Sequence, residues 1–387
     1  MRKLFAMFVA MCLLVVCFSA PAYGAEQNPD YKAIPGITQE EIEAIEDLKN
    51  SGRTFSYGAL LSTESFLNEE GNIDGYTSEL CKLLSELFDI EFVPSIYEWN
   101  DLIKQIANEE LDFSGDLSLT PARMQDYFMS EVIAIRSISL FYRNGEPVLE
   151  IAKNRPPILG FLKDSAHQDL LVDAFGGQHE VEYLDSVEDV PAALKSGKID
   201  AFVSNNIFEV LFKDDSSIAS EVYSPLIFDS VSLATKNPDL EVIISVFNKY
   251  IQNGGRDALS SLYAGGLIEY MRYVFGSDLT DEEKAFIESH VSEGKKIPVA
   301  LEGSNYPLCF YNETSGEFEG IVPDILKQIT VITGLEFESI VYSIVLNQFD
   351  IRKPLLCHEK IHGLYLSANT LAKQLVDFQV RGLALRQ

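Results

Sequence analysis

The chain has 387 residues, 47% hydrophobic and 23% charged, with a formal net charge of −29. That balance excludes a disordered protein and supplies a core for one large or two to three modest domains. So acidic a surface argues against nucleic acid and anionic membranes as partners, since both are bound through basic patches.

Arg2 and Lys3 precede the apolar run Leu4 to Phe18, and Ala22-Tyr23-Gly24 before Ala25 has the small-x-small form of a secretory cleavage site. Residues 1–24 are therefore expected to be a signal peptide and the protein to be secreted or periplasmic, because the apolar run is short for a bilayer span. The mature chain would keep Cys81, Cys309 and Cys357, an odd, widely spaced set without a disulfide or metal-ligand pattern. His167, His179, His290, His358 and His362 show no metal or catalytic spacing and are expected on the surface. No metal and no cofactor is expected.

Residues 25–53 read as a polar leader with one helix, opened by the capping-box pattern Thr38-Gln39-Glu40-Glu41 and ending near Asn50. Thr54 to Leu60 then reads as a strand, and Leu80, Leu83, Leu84 and Leu87 give a helix after Gly75-Tyr76. Ile90 to Val93 is a second strand, Trp99 to Glu109 a second helix, and Asp112 to Gly115 a third strand. This β-α-β-α-β order starts a parallel sheet, whose ligands bind at the strand carboxyl ends. Ala134 to Tyr142 is a long strand-like segment, after which the pattern restarts with Ile158 to Leu162, a helix opened by Ser165, Glu180 to Leu184, a helix over Val187 to Ser196, and Ile199 to Val203. Leu226 to Ala234 is a second long strand-like segment, followed by helices over Leu240 to Gln252 and Arg256 to Ala264. Two lobes follow, one of about 54–142 and 225–275 and one of about 143–224, joined by two crossings that make a hinge and a cleft.

Residues 276–296 read as a linker helix, and the early pattern then recurs. Leu279-Thr280-Asp281-Glu282-Glu283 echoes Ile37 to Glu41, a strand follows at Ile297 to Leu301, and Gly320-Ile321 opens a helix ending before Gly334-Leu335-Glu336-Phe337. Residues 297–342 are thus expected to begin a second copy of the module. From Ser343 to Gln387 the chain carries six Lys/Arg and three Asp/Glu and no counterpart of Asp112 to Arg123, so the copy is expected to be incomplete and its tail divergent or out of frame.

The stretch Asp112 to Arg123 looks like the mouth of a site. Leu111 and Phe113 run into a polar segment with Gly115, Asp116, Ser118 and Thr120, and Pro121 is suited to starting a helix. A strand end beside a helix start gathers N–H groups, hydroxyls and the Arg123 guanidinium where a carboxylate would be held. Trp99, Asp112 and Asp200 are expected to be structural.

Gly75-Tyr76 before a helix, Trp99-Asn100-Asp101-Leu102-Ile103, Asp112 to Arg123 and Ser232-Leu233-Ala234-Thr235-Lys236-Asn237-Pro238-Asp239-Leu240 resemble the family 3 extracellular solute-binding proteins. The likeness is closest to the tandem sensory domains of bacterial membrane sensor kinases and diguanylate cyclases. The resemblance implies an α/β, two-lobed periplasmic-binding-protein (Venus-flytrap) module of the type II fold, followed here by the incomplete second copy. In that family the Ser/Thr-x-Thr-x-x-Arg element holds the ligand carboxylate, which implies roles for Ser118, Thr120 and Arg123, with Asp116 on the same strand. The resemblance also implies that Ser165, across the cleft, donates to the same group, although Asp164 stands where the family has glycine. The family's amino-group aspartate falls at Asn205, for which Glu64 in the first loop would compensate, and Phe66 would supply an apolar wall.

The resulting expectation is a non-enzymatic receptor or sensory input for an amino acid or other small carboxylate, working with a membrane sensor or transporter. The competing expectation is an enzyme on the same fold, with Asp116, Asp164 and Glu64 as candidate acid–base groups.

Overall fold

The computed structural model describes residues 30–170, 179–224, 227–301 and 303–341. The expected signal segment and the tail from 343 onward lie outside them. Contacts divide the chain into two compact units, with the division between Leu267 and Ile268, whereas the sequence pattern put the module's end near residue 275.

The first unit opens with helix α1 (Gln39–Asn50), whose Thr38 and Glu41 form the expected capping box. Strand β1 (Phe55–Leu60), helix α2 (Tyr76–Phe88), strand β2 (Phe92–Tyr97), helix α3 (Trp99–Ala107) and strand β3 (Phe113–Ser118) follow. β1 lies between β2 and β3, parallel to both. Its burial is nearly continuous because both faces are covered. Phe55, Phe92 and Phe113 meet there, with ring centroids 5.2–5.5 Å apart.

Strand β4 (Phe128–Arg143) is longer than the expected Ala134 to Tyr142 and forms the hinge. Its first part pairs antiparallel with β9 (Phe228–Thr235), which also pairs with β3. From Ile138 onward β4 pairs instead with β7 (Ala201–Asn205) and β8 (Ile218–Val222). One strand thus serves both lobes, and the segment from β8 to β9 carries the chain back. The second lobe holds β5 (Ile158–Leu162), β6 (Glu180–Leu184) and helix α4 (Val190–Ser196), with β5 parallel to β6 and β7. Among the described residues the sheet runs β2-β1-β3-β9-β4-β7-β5-β6.

Both lobes use an aspartate before an inner strand as a tie. Asp112 accepts from Ser56 N at 2.9 Å and pairs with Arg53. Asp200 accepts from Ile158 N at 2.8 Å and from Arg155 at 2.6 and 2.7 Å. Burial opposes ionisation of Asp200, but hydrogen bonds from Arg155 and Ile158 hold its carboxyl below the usual range.

Helix α5 (Glu241–Tyr250) lies on the first lobe, and helix α6 (Arg256–Asp278) runs past the expected end at Ala264. Gly265-Gly266 reads in sequence as a stop. Instead, a Cβ on Gly266 would sit 2.3 Å from Tyr76 N, so this glycine permits a close approach.

The second unit contains helix α7 (Asp281–Ser292), capped by a Thr280 and Glu283 capping box. Strand β10 (Lys296–Leu301), a hairpin of β11 (Cys309–Asn312) and β12 (Glu317–Glu319), helix α8 (Ile321–Thr333) and strand β13 (Glu336–Val341) follow. β10 and β13 are parallel over six residue pairs.

Candidate functional site

A small cavity of about 10 Å³ lies between the two lobes of the first unit, lined among others by Leu60, Asp116, Ser118, Arg136, Ser165 and Asn205. That volume admits about one water-sized sphere. Trp99, Leu162, Ala166, His167 and Phe208 complete the lining. The structure therefore brings Asp116, Ser118, Ser165 and Asn205 to one place. Arg123, Thr120, Glu64 and Phe66 do not line it.

Arg136, on β4 in the first-lobe half, is 3% exposed and is the cavity's central cation. It donates to Glu64 at 2.7 and 3.1 Å and to Asp116 at 2.6 Å. Burial would disfavour its charge, but Glu64 and Asp116 hold the guanidinium firmly protonated. Glu64 also accepts from the Tyr263 hydroxyl at 2.8 Å. Burial and the neighbouring Glu64 raise the Tyr263 phenol well above its ordinary range, so it keeps the proton it donates to Glu64. Glu64 is thus committed within the first lobe, where the sequence pattern had it free to receive a ligand amine.

Asp229 lies directly opposite Arg136 in the β9–β4 register. Its Oδ2 accepts from Ser118 Oγ at 3.0 Å and Asn205 Nδ2 at 3.0 Å, and lies 3.3 Å from His167 Nε2. Burial works against its ionisation, yet the hydrogen bonds and charges around it, led by His167, hold the carboxyl below its usual range. His167 Nε2 also lies 3.1 Å from Asn205 Oδ1. Facing two acceptors, Nε2 carries a proton. His167 is 7% exposed, so its surface assignment is corrected: packing of the second lobe against β9 buries it, and spacing in sequence gives no sign of that.

Arg123 bridges the lobes. Its Nη2 donates to Asp164 O at 2.9 Å, and its guanidinium carbon is 5.6 Å from the Trp99 ring centre. It opens a single helical turn, Arg123–Asp126, in place of a full helix at Pro121. Thr120 Oγ1 accepts from Arg123 N at 3.2 Å and so fixes the turn. Trp99, expected to be purely structural, both lines the cavity and donates Nε1 to Lys163 O of the other lobe at 2.7 Å. Thr63 N to Ile207 O, at 3.0 Å, is a further tie between lobes. Ser165 Oγ is buried without a hydrogen-bond partner among the described residues. Phe66 is 2% exposed and packs under Gly75, away from the cavity.

Arg136, Asp229 and the inward His167 are the residues that sequence reasoning missed. Arg136 and Asp229 did leave a signal, a lone charge within an apolar strand, which is costly unless paired.

The family model for bacterial extracellular solute-binding proteins, family 3, matches residues 62–265, more than half of the chain. The chain belongs to this family, whose members bind small solutes outside the cytoplasm. Among solved structures, it is similar to the BvgS periplasmic VFT2 domain of Bordetella pertussis at 17% identity, covering 60% of this chain and 99% of that one, with a TM-score of 0.47. It is similar to the substrate-binding protein AbpA of Streptococcus pneumoniae bound to L-arginine at 17% identity, 58% and 98% coverage and a TM-score of 0.47. The L-cysteine receptor of Neisseria gonorrhoeae is similar at 15% identity, 62% and 97% coverage and a TM-score of 0.47. A search of curated proteins returned no match. Among the described residues no helix is long and apolar enough to cross a membrane.

Proposed function

We propose that the chain is an extracytoplasmic receptor for an amino acid or other small carboxylate, acting by closure of its two lobes and serving a membrane sensor or transporter. The observation that carries this reading is the cavity between two hinged lobes, to which both lobes contribute polar and apolar side chains. Ser165 Oγ is a donor without a partner among the described residues, and Arg123 supplies a guanidinium at the cleft. Both suit a carboxylate. The enzyme reading is weaker because Glu64 and Asp116 are both ion-paired with Arg136 and Asp164 is exposed. Acid–base work needs carboxyl groups facing the substrate with protonation free to change.

The test is a thermal-shift screen of the mature chain against the standard amino acids and small carboxylates, repeated with Arg123→Ala. A ligand raises Tm by mass action on the folded state. A hit lost in the variant supports the reading; a cooperatively melting chain that answers to none of them removes it.

A further inference from the structure

The cleft already contains a ligand-like group, and it belongs to the chain. His167 reaches from the second lobe to within 3.3 Å of Asp229 Oδ2 and 3.1 Å of Asn205 Oδ1. It presents there one protonated nitrogen to a carboxylate and an amide oxygen, which is what a solute's ammonium group would present. The same Asp229 oxygen receives Ser118 and Asn205, so one atom gathers the first lobe, the second lobe and the imidazole. With the ring seated, about 10 Å³ remains. Small-molecule sites enclose roughly 300–1,000 Å³. With the lobes as they stand this space holds no amino acid, and the imidazole occupies the donor position beside Asp229.

We propose that His167 is a tethered occupant of the solute site, which holds the lobes together without solute and which an incoming protonated amine must displace from Asp229 and Asn205. This rests on the receptor reading for its second half only. The first half, the seat for the ring, stands on the geometry. The consequence is selectivity by competition. A solute that brings only a carboxylate leaves Asp229 facing no donor from the ligand, and loses to the imidazole. A solute with both groups replaces the ring's hydrogen bonds and adds its own to Ser165 and Arg123. Its apparent affinity is lowered by the fraction of time the ring is seated.

The experiment uses the full mature chain and free imidazole as probe. In His167→Gly the vacated seat should take up imidazole, seen as a saturable rise in Tm that the wild type lacks. If imidazole stabilises neither protein, or both alike, there is no such seat and the proposal falls. Should the glycine variant not fold, the wild type labelled with ¹⁵N-histidine decides. An Nε2-bound proton protected from exchange is expected, and a freely exchanging His167 ring overturns the proposal. With amino acids as probes, His167→Ala should bind about tenfold more tightly than wild type if the ring is seated about nine-tenths of the time. Arg123-dependent binding unchanged by His167→Ala would overturn the competition and leave the receptor reading standing. Uptake of imidazole by His167→Gly with no amino acid bound by any variant would remove the receptor reading and leave the seat.

Discussion

Residues 37–97 and 279–341 carry the same order of elements, and the first set leads, through Phe113–Ser118 and Phe128–Arg143, into the cavity between the lobes. Each begins with a capping-box helix, at Thr38 and Thr280. Each has a 13-residue helix entered through a glycine, Gly75 at φ 92°, ψ −163° and Gly320 at φ 117°, ψ −172°, conformations close to glycine-only. In each, the second helical N–H bonds a loop carbonyl, Thr77 to Glu64 at 3.0 Å and Val322 to Leu308 at 2.9 Å. That correspondence sets Leu308 where the first region has Glu64. Glu64 is 5% exposed and held by Arg136; Leu308 is 42% exposed. β1 is covered on both edges by β2 and β3, whereas β10 pairs only with β13 among the described residues and alternates between exposed and half-buried up to the buried Leu301. The order of elements thus recurs, and among the described residues the second set has no counterpart of the strand that carries Asp116 and Ser118 or of the strand that carries Arg136. The plan of helix, turn and strand is local, and the chemistry is not.

Removing the Arg136 cation, which holds the first region's Glu64, gives the largest expected effect. Arg136→Ala strands Glu64 and Asp116 as buried charges and should cost about 3–5 kcal/mol, read from denaturant unfolding. Leu308→Glu, which gives the second region the missing carboxylate at an exposed position, should change stability by less than about 0.5 kcal/mol. A small loss at Arg136 would show that the network is not what sets the regions apart. Next come Gly75→Ala and Gly320→Ala. Each puts a Cβ within 3 Å of a loop carbonyl at positive φ, and each should cost about 1–3 kcal/mol in its own unit. Hydrogen exchange in α2 and α8 would read the two separately, and a loss at one glycine alone would break the equivalence.

Smaller still, Thr38→Ala and Thr280→Ala should each cost about 1 kcal/mol, because each hydroxyl accepts an N–H of its helix's first turn. Local exchange at α1 and α7 checks this. The pH dependence comes last. Asp229 has a folded-state carboxyl held below its ordinary 3.8, so its stabilisation is fully present above that value and is lost as pH falls through the lower folded value. Acid titration of stability in the first unit should therefore flatten below about pH 4 in Asp229→Asn.

Much of this was legible in the chain. The capping boxes follow from Thr and Glu three residues apart, and Ser118 and Asp116 from a strand that ends in polar residues. The two long strand-like segments announced a hinge through their length alone. His167 was not legible, because nothing near it in sequence shares its role: its partners are Asn205, on another strand of the same lobe, and Asp229, on the strand that returns the chain to the first. Glu64 and Arg123 were legible as charges but not as to their partners, since Glu64 is taken by Arg136 and Arg123 by a backbone carbonyl across the cleft. By itself the sequence determined the periodic elements, their order and the two-lobed plan, because those rest on residues three, four or two positions apart. Only the tertiary structure decided which charges neutralise one another and which side chain fills the cleft, because a buried group's partner is set by whatever distant strand closes over it.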